Sequence, residues 1–188
     1  MTKDFAPVEI FTERLVLRPW RPSEAPIMYR WASNPAIGPV AGWPPHTSVE
    51  QSREIIATIF SAPETYALEL RSEGVPIGSV ALKRWAAMSP ALLESGIEGV
   101  EADAELGYWL AEPYWGRGLM SEAVRAIIAR AFEELGHRRL WCGHFEGNGR
   151  SQRTMTSCGF VYHHTVHNRP TLLGDLRIEH FYVLERGR

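Results

Sequence analysis

The chain has 188 residues, enough for one well-buried core and short for two. A formal net charge of −2 with 22% charged residues argues against a nucleic-acid binder held by phosphate neutralisation. Two cysteines, Cys142 and Cys158, form no disulfide framework or four-ligand zinc pattern, and no apolar run is long enough for a signal core or a membrane span, so a reduced, cytoplasmic setting with no metal and no membrane partner is expected.

Residues 12–18 alternate polar and apolar side chains, as a half-buried strand does. Pro22-Ser23-Glu24 opens a helix with Ile27, Met28 and Trp31 on its apolar side, closed before Asn34-Pro35. A loop rich in Gly, Pro and Trp follows. Thr47-Ser48-Val49-Glu50 then has the capping-box pattern, ahead of a helix carrying Ile55, Ile56, Ile59 and Phe60. Residues 66–70 and 77–82 flank Glu73-Gly74 as a hairpin. Residues 88–100 are weakly patterned and read as an insertion between strands.

A strand through Glu105 comes next, then a glycine turn. A helix from about Leu119 to Leu135 follows and stops at Gly136. Residues 139–145 form a strand. Gly147-Asn148-Gly149-Arg150-Ser151 turns into a short helix ending at Cys158-Gly159-Phe160, and two strands near 161–166 and 176–184 close the chain. Neither a repeat nor a linker stands out. Residues 1–188 therefore read as one α/β domain, with a mixed, mostly antiparallel central sheet flanked by helices. Its seven tryptophans suit core packing, or the walls of an aromatic-lined cleft.

The segment Tyr114-Trp115-Gly116-Arg117-Gly118-Leu119-Met120-Ser121-Glu122-Ala123 carries the most functional information. Strand, glycine turn and helix is the order in which backbone N–H groups and a helix N-terminus converge on a phosphate. A P-loop string is absent. A dinucleotide fingerprint expects a third glycine where Ser121 stands, and a series of βαβ units where hairpins are found.

The passage from Glu105 to Ala123 resembles the central motif of the GNAT superfamily of N-acetyltransferases. The family form is R/Q-x-x-G-x-G/A after a strand; here Trp115, Gly118 and Met120 take the first, fourth and sixth positions. The departures at Trp115 and Met120 resemble the branch of ribosomal-protein alanine acetyltransferases, where a Tyr-Trp-Gly-basic-Gly string is common. Residues 12–18, the Gly147–Ser151 stretch and Cys158-Gly159-Phe160 match the same branch in order.

The resemblance implies acetyl-CoA as donor, with its pyrophosphate on the turn at Gly116, Arg117, Gly118 and Met120 and with Leu119 and Ser121 close by. It implies a pantetheine slot beside Trp109, Leu110 and Ala111, in which the Leu110 N–H would polarise the thioester carbonyl. Arg117 either adds charge there or faces water. Asn148 resembles an asparagine that reaches the cofactor, a reading favoured by Ser151 at the family spacing; a turn asparagine is the alternative. A homodimer is the family style of assembly.

Transfer to an amine requires a neutral nucleophile and a protonated leaving thiol. Amines differ widely in this, with pKa values of roughly 10.4 for a lysine side chain and about 8 for an α-amino group. Glu105 is the first candidate base, or else an edge glutamate paired to an arginine; Asp103 is second. Ser151 is the candidate acid, or else a helix N-cap, with Tyr108 and Tyr162 behind it. Trp31, Trp43 and His46 are candidate contacts for an unidentified amine acceptor, unless the tryptophan loop is a packing corner. His163 and His164 are expected on opposite faces of a strand, without the ligand set of a metal site. A CoA-binding module without turnover is the alternative reading.

Overall fold

A computed structural model describes residues 8–84, 88 and 102–187. The expected insertion lies almost wholly outside the described residues; Met88 alone is placed, buried against Trp141, Phe181 and Val183. The strands are β1 (Ile10–Phe11), β2 (Leu15–Arg18), β3 (Thr65–Leu70), β4 (Val75–Arg84), β5 (Asp103–Leu110), β6 (Arg139–Phe145), β7 (Val161–Pro170) and β8 (Leu176–Glu185). The α-helices are α1 (Ala25–Ala32), α2 (Val49–Thr58), α3 (Leu119–Ala129) and α4 (Gly149–Ser157). Among the described residues, one sheet holds these eight strands in the order β1-β2-β3-β4-β5-β6-β8-β7, and the β5–β6 pair is the only parallel one.

Each face of the sheet buries a different set of side chains. Ala104, Leu106 and Leu110 of β5 pack with Leu119, Ala123, Val124 and Ile127 of α3 in the main core. This is the helical 3–4 spacing of α3 meeting the period of two of a strand. The other face carries Trp20 and Ala67, covered by Ala25, Met28 and Ala32 of α1 and by Ile56 of α2, with Trp109 packed at its edge. Trp20 stacks on Phe60 and on Trp109, and Trp43 meets Trp109 edge-on.

Several local expectations shift by a residue or two. Residues 12–14 are a turn between β1 and β2 rather than part of a strand. Ser48, not Thr47, caps α2: its hydroxyl accepts the Gln51 N–H, and the Gln51 side chain accepts from the Thr47 N–H. Ile59 is exposed, because it lies just past the last turn of α2. The helix after the glycine turn ends in a π segment, Arg130–Glu134, and Gly136 follows at φ +75°. There Arg130, almost fully buried, grips the Glu64 carboxylate through two bonds of 2.7 Å.

The site is set by where β5 and β6 part company. They pair only from Asp103↔Arg139 to Glu105↔Trp141, yet β5 runs on to Leu110 and β6 to Phe145. Beyond Glu105 the two strands diverge and a slot opens in the middle of the sheet.

Candidate active site

On the other side β5 stays paired with β4 along its whole length, from Arg84↔Ala104 to Gly78↔Leu110. The Ala111 N–H donates to the Ile77 carbonyl at 2.8 Å. In an antiparallel ladder, bonded and non-bonded pairs alternate. Ala111 and Trp109 therefore turn their amides toward β4, and Leu110 turns its own toward the slot. The Leu110 carbonyl accepts the Trp115 indole N–H at 2.7 Å, leaving the Leu110 N–H as the group presented there. Gly78 is what lets β4 lie so close. A Cβ at that position would stand 2.4 Å from the Trp109 carbonyl oxygen.

The chain leaves β5 through a 3-10 turn, Glu112–Tyr114, and enters the glycine turn. Gly116 and Gly118 sit at φ +75° and +73°, a region that side chains other than glycine pay to enter. Gly118 is the N-cap of α3, so the N–H groups of Leu119, Met120 and Ser121 form the open first turn. A Cβ on Gly116 would meet nothing within 4 Å, and one on Gly118 only an Arg14 guanidinium nitrogen at 3.7 Å. Both glycines are therefore required by backbone conformation more than by crowding.

Asn148 caps α4, its side-chain oxygen accepting the Ser151 N–H at 3.2 Å. Ser151 is thus the third residue of the helix and not its cap. Its hydroxyl is free to meet the Tyr108 hydroxyl at 3.0 Å. Burial pushes the Tyr108 phenol well up from its ordinary value, so it stays protonated at neutral pH.

Slot, turn and α4 enclose one cavity of about 430 Å³. Among the residues expected at the donor site, Trp109, Leu110, Gly116, Gly118, Leu119, Met120, Ser121, Asn148 and Ser151 line it. Ala111 does not. Its N–H donates to the Ile77 carbonyl and its own carbonyl accepts the Tyr114 N–H. Nor does Arg117: its guanidinium lies over the Tyr114 ring, and its carbonyl accepts from Arg14. Arg150, Arg153, Thr154 and Ser157 line the cavity without having been expected. Their shared helical face, with two cations in the first turn and a half, was the available signal. Arg150 also lies 3.8 Å over the Trp115 ring.

On the opposite wall stand Ala36, Ile37, Val40 and Ala41 from the loop after α1. The expected acceptor contacts lie farther out. Trp31 donates its indole N–H to the Pro76 carbonyl and packs edge-on against Tyr114, outside the cavity lining. Trp43 and His46 pack on each other, and His46 holds Ser52 at 2.8 Å. Burial lowers the His46 pKa. These residues form the packing corner behind Trp109.

Glu105 is buried, faces the same side of the sheet as Trp109, and pairs with Lys83 at 3.5 Å. It stands where β5 and β6 begin to diverge, outside the cavity lining. Asp103 is fully buried, and Arg139 and the Trp141 indole hold its carboxylate at 2.8 and 3.1 Å. Tyr162 bonds Thr165 on the exposed surface of β7, away from this cavity.

Glu179 of β8 is a carboxylate that periodicity did not reveal. It lies over Gly143 of β6, where a Cβ would stand 2.7 Å from its Oε1. Burial pushes its pKa up, against the pull of Arg169 at 3.1 Å, and the neighbouring charge of Glu105 adds to the rise. His163 and His164 do not take opposite faces. The β7–β8 register slips between Tyr162 and His164, and the two rings meet edge-on with their Nδ1 atoms 2.9 Å apart. Among the described residues, no group of three or more His, Cys, Asp or Glu is placed to hold a metal.

Comparison with known proteins identifies the family in which this split strand pair and glycine turn occur. A family model for the acetyltransferase (GNAT) domain matches residues 14–161. The chain belongs to the GNAT acetyltransferase family. Among its relatives is the N-acetyltransferase p20 of Bacillus licheniformis, 28% identical over 131 residues, or 70% of each chain. Among solved structures, a GNAT-family acetyltransferase from Bacillus anthracis superposes with a TM-score of 0.79 at 17% identity, covering 96% of this chain and all of that one. The ribosomal-protein-S5-alanine acetyltransferase from Vibrio fischeri gives 0.72 at 18%, over 96% and 97%. At such identities the superpositions speak for the GNAT fold alone. GNAT acetyltransferases use acetyl-CoA, and the cradle fits it: open N–H groups at a helix start, glycines at positive φ, and cations on α4.

Proposed function

We propose that this N-acetyltransferase moves the acetyl group of acetyl-CoA to a primary amine by direct attack across the slot between β5 and β6. The observation that carries the reading is the alternation of β5, which aims the Leu110 N–H into that slot beside the glycine turn. When bound, acetyl-CoA supplies an activated acyl group. The chain supplies the rest. Gly116, Gly118, Leu119, Met120 and Ser121 hold the pyrophosphate, with Asn148, Arg150 and Arg153 along the next wall. The Leu110 N–H stabilises negative charge on the acyl oxygen.

Glu105 takes the proton of the incoming amine, directly or through water, and Glu179 is a second carboxylate on the same face. Tyr108 and Ser151, bonded to each other, return a proton to the departing sulfur. The acceptor enters over Ile37, Val40 and Ala41, with Trp43 and His46 supporting that wall through Trp109. The relatives' names span several acceptors, including a ribosomal protein, so the acceptor is left here as a primary amine.

A thiol-release assay tests this across α-amino peptides, lysine-bearing peptides, small amines and aminoglycosides. The expected result is release with one class and none without an amine. Tight CoA binding with no release across the whole panel would refute the proposal.

A further inference from the structure

The turn between β1 and β2 lies far from the cofactor motif in sequence, yet it touches that motif directly. Glu122 sits in the first turn of α3, and four donors converge on it. The Thr12 hydroxyl donates to its Oε1 at 2.6 Å, the Arg14 backbone N–H to the same oxygen at 2.8 Å, and Arg14 Nε and Nη2 reach Oε2 at 2.7 Å each. The remaining guanidinium nitrogen, Nη1, donates to the Arg117 carbonyl inside the glycine turn at 2.9 Å. The β1–β2 turn is itself tied down. Arg71 donates to the Thr12 and Glu13 carbonyls, and its N–H to the Arg14 carbonyl.

A carboxylate in the first turn of a helix favours the helix, because it meets the positive end of the dipole. It also competes with any anion bound at that end. Arg14 removes the conflict by pairing with Glu122 while pinning the turn that carries Gly116 and Gly118. Against the upward push of burial, the Thr12 hydroxyl and the Arg14 N–H and guanidinium together hold the Glu122 carboxyl below its ordinary pKa. Nothing in the reaction itself involves either side chain.

We infer that Thr12, Arg14 and Glu122 form a clamp that positions the glycine turn and masks a negative charge beside it, so that the clamp sets affinity for the donor's pyrophosphate. The inference rests on the acetyl-CoA reading above. Arg14 and Glu122 are positioning residues in it, and they bear on the donor without touching the acceptor.

The test is the dissociation constant for CoA, measured by calorimetry on the native chain and on Arg14→Gln, Arg14→Lys and Arg14→Gln/Glu122→Gln, with the melting temperature of each. Arg14→Gln exposes the Glu122 charge and frees the turn, and should weaken CoA binding about tenfold. Arg14→Lys keeps the charge without the fork and should lose about threefold. The double variant, although it has lost more bonds, should bind CoA more tightly than Arg14→Gln, because the unmasked carboxylate is gone. A merely structural role predicts the reverse order, with affinity following melting temperature. That order, or native affinity in Arg14→Gln, would overturn the clamp alone. Failure of the native chain to bind CoA would overturn the donor reading and the clamp together. Should Arg14→Gln not fold, Arg14→Lys against the native chain decides: equal affinity would refute the clamp.

Discussion

Replacing Gly78 with alanine drives a methyl group into the backbone of β5. The new Cβ would lie 2.4 Å from the Trp109 carbonyl oxygen and 3.0 Å from the Leu110 Cα. A carbon rests against a carbonyl oxygen at about 3.3 Å or more, so β4 and β5 must part by about 1 Å at the rim of the slot. The obstacle is backbone, which no rotamer change can move. Overpacking of this kind costs about 1–3 kcal/mol, which for a chain of this length lowers the melting temperature by roughly 2–4 °C per kcal/mol.

The effect on catalysis should be larger than the effect on stability. A displacement of about 1 Å in the group that meets the acyl oxygen costs on the order of 100-fold in rate. Calorimetry would measure the first quantity, and thiol release with the best amine of the panel the second. Gly107→Ala is the matched control on the facing strand, since its Cβ would find only the end of Lys83 at 4.0 Å, and it should behave as the native chain does. An alanine at 78 with native turnover and melting temperature would refute the idea that close β4–β5 packing sets the Leu110 amide.

Three further outcomes are expected. Glu105→Gln should slow transfer by about 100-fold or more, most strongly at low pH where the amine holds its proton; an unaltered pH–rate profile with a reactive amine would remove Glu105 from the mechanism. Arg130→Ala strands the Glu64 carboxylate in a buried site and should cost about 3–5 kcal/mol in urea unfolding, whereas loss of the exposed Arg53–Glu50 pair should cost under about 1 kcal/mol. Burial lowers the pKa values of His46, His137, His144 and His164 below 6.5, so the unfolded chain binds protons that the folded chain refuses. Stability should therefore be full above pH 6.5 and fall as the pH drops through that value, read as a lower urea midpoint at pH 5.5 than at pH 7.5.

What could be read from the sequence was local. Gly116 and Gly118 announced a turn, Gly136 a helix stop, Asn148 and Ser151 a helix start, and Glu73-Gly74 a hairpin, because each signal depends on a few adjacent residues. Residues of the cavity lining were legible where the glycine turn carries them, as at Met120 and Ser121. They were less so where a side chain's partner decides the role. The Asp103 partners Arg139 and Trp141, and the Pro76 carbonyl that takes the Trp31 indole, lie far away in the chain and left no local signal. Glu179 was invisible, because its significance lies in the bare Gly143 beneath it, on another strand.

The sequence by itself determined most of the elements, through short-range sterics and hydrophobic period, and its ordered motifs resembled those of the family that the comparison shows. Only the tertiary structure decided which amide faces the slot, because that depends on the phase of the β4–β5 ladder and on where β5 leaves β6. It alone also joined Arg14 to Glu122 across 108 positions of chain. Such contacts are fixed by packing of the whole domain, and no window of neighbouring residues contains them.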